Sequence, residues 1–163
     1  MAKTTLGVTY KVQCRRPDGS LRWAETVRNL VVTLGLNTVL DRAFKTVPSD
    51  VLWYLGLKGS GVPDPADTMS SHGSWSEIVP YSESTRPQWV PGTIAAGAVD
   101  NSGSTADYTI NANTNVHGVF MTTDDTKSGT AGTLFSVADF GAARVVEVSD
   151  ILSVQADLTI VSV

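Results

Sequence analysis

The chain has 163 residues, of which 42% are hydrophobic and 17% are charged, and its formal net charge is −4. This length suits a single domain with a substantial core, and the composition excludes an intrinsically disordered chain, which would combine few hydrophobic residues with a high net charge. A pI of about 5.0 argues against a nucleic-acid-binding domain, so no nucleic acid is expected among the partners.

The first segment, residues 5–32, is predicted to form a long β-hairpin. Hydrophobic and polar residues alternate from Leu6 to Cys14, which is the period of a half-buried strand. Pro17 and Gly19 supply a turn, because proline fixes φ and glycine tolerates a positive φ. Residues 1–50 contain eight basic and four acidic side chains, whereas residues 51–163 contain four basic and twelve acidic ones.

This uneven charge favours docking of the basic hairpin on an acidic partner or on another copy of the chain. We expect the hairpin to extend onto such a partner, and the alternative is a basic face that is simply solvated. The candidate interface residues on or beside the hairpin are Arg15, Arg16, Arg22 and Arg28.

One short helix is predicted at residues 37–47. Asn37 or Thr38 would cap it, Asp41 would lie in its first turn, and the pair Val47 and Pro48 would end it. A stripe at helical spacing is expected to face the core; it consists of Val39, Leu40, Ala43 and Phe44.

The rest of the chain is predicted to be mainly strand. Residues 52–57 form a dense hydrophobic run, which indicates a central strand buried on both faces. Asp67 would cap a single helical turn that ends at Gly73. Short β-prone runs then alternate with turn residues, at residues 77–82, 93–99, 107–111, 116–122, 133–140, 143–148 and 151–163. Residues 1–163 are therefore predicted to form one antiparallel β-sandwich, jelly-roll-like, with one short α-helix.

The sequence shows no catalytic or cofactor-binding signature. Cys14, His72 and His117 do not have the spacing of a zinc site, and Cys14, the only cysteine, is expected to be a small buried hydrophobe. The hydrophobic runs are far shorter than the roughly 20 residues that cross a bilayer. We therefore expect no catalytic residue, metal, cofactor or small-molecule substrate, and no membrane partner.

Aromatic and charged residues are concentrated in the middle of the chain. Trp75, Tyr81, Arg86 and Trp89 belong to residue types that dominate protein interfaces. The same residue types close the end of a β-sandwich core, with arginine stacked on aromatic rings. Of these two interpretations, the second is favoured.

This central region resembles a family of small structural proteins of tailed bacteriophages. The similarity rests on residues 53–57 (Trp-Tyr-Leu-Gly-Leu), 67–72 (Asp-Thr-Met-Ser-Ser-His) and 86–89 (Arg-Pro-Gln-Trp), and it extends over about residues 20–163. Its signature positions are Trp53, Asp67, His72, Trp75, Tyr81, Arg86 and Trp89.

The resemblance implies a non-enzymatic virion protein, most simply a capsid cement or decoration protein on the outside of the phage head. Its partners would be the major capsid protein and copies of itself. It would be assembled in the cytoplasm of the host bacterium and located on the capsid surface. Two alternatives remain open at this point: a tail-associated protein (tube, adaptor or fibre) and a glycan-binding β-sandwich module.

Overall fold

The computed structural model describes residues 4–45 and 51–162, and in these ranges the protein consists of two antiparallel β-sheets and one helix. The predicted antiparallel β-sandwich with one short α-helix is confirmed. The elements are β1 (Thr4–Arg15), β2 (Leu21–Arg28), β3 (Leu30–Val31), α1 (Thr33–Phe44), β4 (Trp53–Lys58), β5 (Glu77–Ile78), β6 (Gln88–Trp89), β7 (Ala98–Val99), β8 (Ala106–Thr109), β9 (Thr114–Thr122), β10 (Leu134–Val146) and β11 (Ile151–Ser162).

The first sheet has the strand order β2-β1-β11-β7, with β8 also paired to β11. The first and last strands are paired along their full length, from Thr4 opposite Ser162 to Arg15 opposite Ile151. The predicted alternation is present, because every second side chain is buried between the sheets from Val8 to Cys14 in β1 and from Leu152 to Ala156 in β11. These side chains are Val8, Tyr10, Val12, Cys14, Leu152, Val154 and Ala156.

This pairing changes the interpretation of the N-terminal hairpin. Strand β1 lies in the interior of the sheet, between β2 and β11. Of the two hairpin strands, β2 alone lies at a sheet edge. The turn after β1 is closed by a hydrogen bond from the backbone N–H of Gly19 to the carbonyl of Arg16, 2.9 Å long. The parts of the hairpin that are accessible to a partner are therefore β2 and this turn.

The second sheet has the order β3-β10-β9-β4-β5, with β6 also paired to β4. Strand β4 is central, and its residues from Leu55 to Lys58 are buried, as the hydrophobic run predicts. Leu55 and Leu57 join the core between the sheets. Between them, Gly56 leaves room for the ring of Phe120, whose Cζ lies 2.1 Å from the position that a Cβ would occupy.

Two strands predicted at 133–140 and 143–148 are one continuous strand, β10. The chain does not reverse direction at Gly141. Instead, the pairing of β10 with β9 shifts register between Asp139 and Arg144. A β-bulge of this kind interrupts the period-two pattern and so resembles a turn in the sequence. The strands predicted at 77–82 and 93–99 are much shorter in the structure, where they form the two-residue strands β5 and β7.

The helix was predicted with the wrong start and the wrong buried face. It begins at Thr33 and has no side-chain cap, and its end at Phe44 leaves Asp41 near the C-terminus. The expected stop at Val47 and Pro48 lies outside the described residues. Gly35 explains the orientation of the helix, because a Cβ there would stand 2.2 Å from the carbonyl oxygen of Phe135. The helix therefore docks through its Gly35 side. Of the predicted stripe, Val39 packs against the core, whereas Leu40, Ala43 and Phe44 are exposed.

Cys14 is buried, and its environment makes it unreactive. Burial, reinforced by the carboxylate of Asp150, raises the pKa of the Cys14 thiol from 9.0 to about 12. The thiol donates a hydrogen bond to Oδ2 of Asp150 at 3.6 Å. The neighbouring cations Arg16 and Arg22 lower the pKa, but by less than burial raises it.

The thiol of Cys14 should accordingly resist disulfide reagents in the folded protein. We expect labelling by an aromatic disulfide at pH 8 to be at least about 100-fold slower in buffer than in concentrated urea, because only the thiolate reacts. Stopped-flow absorbance would measure both rates. Similar rates in the two solvents would contradict the burial of Cys14.

Candidate functional site

The signature positions of the central region lie in two separate parts of the interior. The segment between β4 and β5, residues 59–76, folds back over the outer face of the second sheet. It is tied to the start of α1 by a 2.9 Å hydrogen bond from the N–H of Thr33 to the carbonyl of Pro65. Under it lies a second, smaller hydrophobic cluster, which consists of Val32, Met69, Trp75, Phe120, Leu134 and Val137.

Asp67, His72 and Trp75 hold this segment together. The indole N–H of Trp75 and the backbone N–H of Asp64 both donate to Oδ2 of Asp67, each at 2.9 Å. The His72 ring stacks on Trp75 with centroids 4.0 Å apart, and its Nδ1 lies 3.0 Å from the Trp75 carbonyl oxygen. The helical turn predicted after Asp67 is instead a tight turn closed by hydrogen bonds between Thr68 and Ser71. Asp67 therefore anchors Trp75 rather than a helix.

Arg86 is the most densely bonded side chain of this region, although it is only 1% exposed. Its Nε and Nη2 donate to the two carboxylate oxygens of Glu77, each at 2.8 Å. Its remaining bonds go to the carbonyl oxygens of Asp124, at 2.8 Å, and Gly129, at 3.1 Å, and to the carboxylate of Asp124, at 3.4 Å. The guanidinium lies 5.3 Å from the centre of the Phe120 ring, against which Trp75 also packs at 5.2 Å.

These contacts keep Arg86 charged. Burial by itself would lower the pKa of Arg86, but the hydrogen-bonded carboxylate of Glu77 and the carboxylate of Asp124 together hold the pKa above its usual value. Bidentate pairing of this kind also fixes orientation, because the planar fork of arginine matches the two oxygens of a carboxylate. Arg86 thus fastens the loop that contains Asp124 and Gly129 to β5.

Lys58 forms a second buried ionic group on the same face, which the sequence did not reveal. Its ammonium donates to the carbonyl oxygens of Gly59, at 3.0 Å, and Gly61, at 2.5 Å, and to the carboxylate of Asp139. In the sheet, Gly118 pairs with both Lys58 and Asp139. Its missing side chain lets the lysine reach across β9 to Asp139. The only signal in the sequence is a lysine that ends a strongly hydrophobic strand.

The other signature positions belong to the main core. The Tyr81 ring meets Tyr108 edge-on at 5.0 Å, and Trp53 meets Phe135 in the same way at 5.3 Å. The indole N–H of Trp89 donates to the carbonyl of Ala156, 3.1 Å away. The signature residues therefore pack within the fold, and the two groups lie on opposite faces of the second sheet.

The four candidate arginines do not form one patch. Arg22 is bound internally, with its guanidinium 2.6 Å from Glu147 and 2.8 Å from Asp150. Arg15 and Arg16 flank the turn after β1 and hydrogen-bond within it. Arg28 is exposed at the far end of β2, roughly 20 Å away at the usual rise per strand residue.

Within the described part of the chain, no three His, Cys, Asp or Glu side chains are grouped so that they could hold a metal ion. No helix in these ranges is both long enough and hydrophobic enough to span a bilayer. A cavity of about 290 Å³ opens beside Trp75 and His72. The carboxylate of Glu77 lies in its wall, but this carboxylate is already paired with Arg86.

Comparisons with protein-family models, with curated proteins and with solved structures gave no match. The resemblance to structural proteins of tailed phages thus stays a prediction from the motif residues.

Replacing Arg86 should destabilise the fold strongly. Arg86→Met leaves the carboxylate of Glu77, whose side chain is 6% exposed, buried without its charged partner and with only the backbone N–H of Ser128 to bind it. We expect a loss of about 3–5 kcal/mol in the free energy of unfolding, as for other broken buried ion pairs. Urea titration followed by tryptophan fluorescence would measure the loss.

The matched control is Lys11→Met, which removes an ion pair to Asp157 whose lysine side chain is 49% exposed. Exposed pairs contribute little because water and salt screen them, so this variant should unfold close to the wild-type midpoint. Equal midpoints for the two variants would show that Arg86 does not anchor the second sheet.

Proposed function

We propose that this protein is a non-enzymatic virion structural protein, a capsid cement protein that binds the outside of a tailed-phage head and stabilises contacts between capsid proteins. The observation that carries the proposal is the placement of the motif on which the phage resemblance rests. Its polar members Asp67 and Arg86 are bound to other parts of the same chain. Because these side chains bind within the chain, the motif contributes to the rigidity of the fold.

The described surface also suits a lattice-bound role. The sandwich is stiffened on the outer face of its second sheet, and β2 leaves one eight-residue strand at a sheet edge. Such an edge can accept a partner strand. Each contact with a lattice can be weak, because many identical contacts act together.

Of the two alternatives, the glycan-binding module has less support than the tail-associated protein. Glycan recognition uses exposed aromatic faces. All four tryptophans lie in the described ranges and none is exposed: Trp75 and Trp89 are buried, and Trp23 and Trp53 are half-buried.

Copy number separates a cement protein from a tail protein. Purified protein would be added to phage heads that lack it, and bound protein would be quantified against the capsid protein. We expect saturation on the order of hundreds of copies, as repeated lattice sites require. Saturation at about a dozen copies would indicate a ring-shaped adaptor instead, and absence of binding would overturn the capsid role.

The hairpin turn is the basic element that we expect to contact an acidic patch of the capsid protein. The double variant Arg15→Glu/Arg16→Glu should bind heads more slowly and more weakly at low salt, while its melting temperature stays unchanged. Wild-type binding should fall in the same way as salt rises, because exposed charges are screened over about 8–10 Å.

Arg28→Glu is the comparison, because it reverses a charge on the same hairpin but at the far end of β2. It should bind at the wild-type rate. Full-rate binding by the double variant at both low and high salt would show that the basic turn is only a solvated face.

A further inference from the structure

We propose that two copies of this chain associate through the outward side of α1. This side is here called the α1 face, and its residues are Thr33, Leu36, Asn37, Leu40, Ala43 and Phe44. The large hydrophobic members are exposed by 44% at Leu36, 57% at Leu40 and 83% at Phe44. They stand four residues apart, so they form one stripe along the helix.

The polarity of α1 is the reverse of that expected for a helix that faces water. At about 100° per residue, every member of the α1 face lies within about 60° of Leu40. No member of the face is charged. The charged residues Asp41, Arg42 and Lys45 lie on the flank or towards the sandwich, and the helix docks on β10 through Gly35. A surface helix normally turns its charges outward.

The hydrophobic surface continues beyond the helix. Val39 lines a cavity of about 210 Å³ together with Ile94 and Ile160. Ile94 is 76% exposed and Ile160 is 47% exposed. This extension matters because a stable interface buries about 800 Å² on each partner, which is more than a single three-residue stripe supplies.

A second copy fits the α1 face better than a charged partner does. In an antiparallel arrangement about a two-fold axis at Leu40, Leu36 of each copy meets Phe44 of the other. Each phenylalanine ring then packs against a leucine, which is the smaller side chain. The contact is isologous and closes on itself.

The electrostatics agree with this arrangement. The chain carries a net charge of −4, which gives two copies a weak average repulsion at long range. The α1 face is neutral, and on its flank Asp41 and Lys45 neutralise each other at 2.7 Å. The first turn of α1 contains no acidic residue, so no carboxylate of the helix itself opposes the approach of the negative end of an antiparallel helix.

Self-association can be tested with the isolated chain, without phage particles, so the test does not depend on the proposed function. Sedimentation velocity between about 1 µM and about 100 µM should show wild-type mass rising from 17.3 kDa towards twice that value. Leu40→Glu and Phe44→Glu should weaken dimerisation at least tenfold, since each would bury a charge in the contact. Circular dichroism would show that both variants stay folded.

The matched controls are Val62→Glu and Leu21→Glu, which place the same charge at exposed hydrophobic residues elsewhere, 77% and 47% exposed. Both should dimerise like the wild type. A wild-type protein that stays monomeric over the whole range, or controls that dissociate as readily as Leu40→Glu, would overturn the proposal. Monomeric wild type combined with loss of head binding in Leu40→Glu would assign the face to the capsid protein instead.

Crosslinking tests the position of the axis without burying a charge. In a Cys14→Ser background, Leu40→Cys should be joined into a covalent dimer by a short thiol crosslinker, because the two copies of residue 40 meet at the axis. Leu34→Cys, which is exposed on the other side of α1, should remain monomeric. Equal crosslinking at both positions, or at neither, would contradict the two-fold contact.

Discussion

The pairing of β1 with β11 is the constraint on which the rest of the structure depends. It joins twelve residues at one end of the described chain to twelve at the other, in uninterrupted antiparallel register. Strands β2, β7 and β8 attach to this pair and complete the first sheet. Closing so long a loop adds little entropy cost per residue, because the cost rises only with the logarithm of length. The chain between the two strands thus begins and ends at one strand pair of the first sheet.

The second sheet is held by contacts on both of its faces. One of its faces packs on the first sheet, and the other is covered by a loop segment that contains Trp75 and is held by Asp67. On that face Arg86 and Lys58 are buried with their partners Glu77 and Asp139. Buried ion pairs of this kind often add little net stability, but breaking one is severe. They explain how a sheet with several two-residue strands keeps a defined arrangement.

The surface divides into regions of different chemistry. The turn after β1 is basic, the strand β2 lies at a sheet edge, and α1 presents a neutral hydrophobic stripe. These regions suit different partners, because charge acts mainly on association rate and hydrophobic burial on affinity. A protein that contacts both a lattice and its own copies would need both kinds of surface.

The sequence by itself determined the strands that alternate or are fully hydrophobic. The pattern from Leu6 to Cys14 and the run that became β4 are local signals, since period and burial depend on neighbouring residues. It also placed the signature aromatics in the interior. The bulge in β10 and the two-residue strands were not predictable, because a bulge resembles a turn and such short strands exist only through their partners.

Only the tertiary structure decided which side of α1 docks on the sandwich and which residues pair with the buried charges of the second sheet. Gly35 selects the docked side of the helix through a contact with Phe135, a hundred residues further along the chain. Lys58 meets Asp139 because strand register aligns both with Gly118. The four arginines are close in sequence, yet β2 separates Arg28 from the others. Distances between residues far apart in the chain follow from strand order and register, which no local pattern encodes.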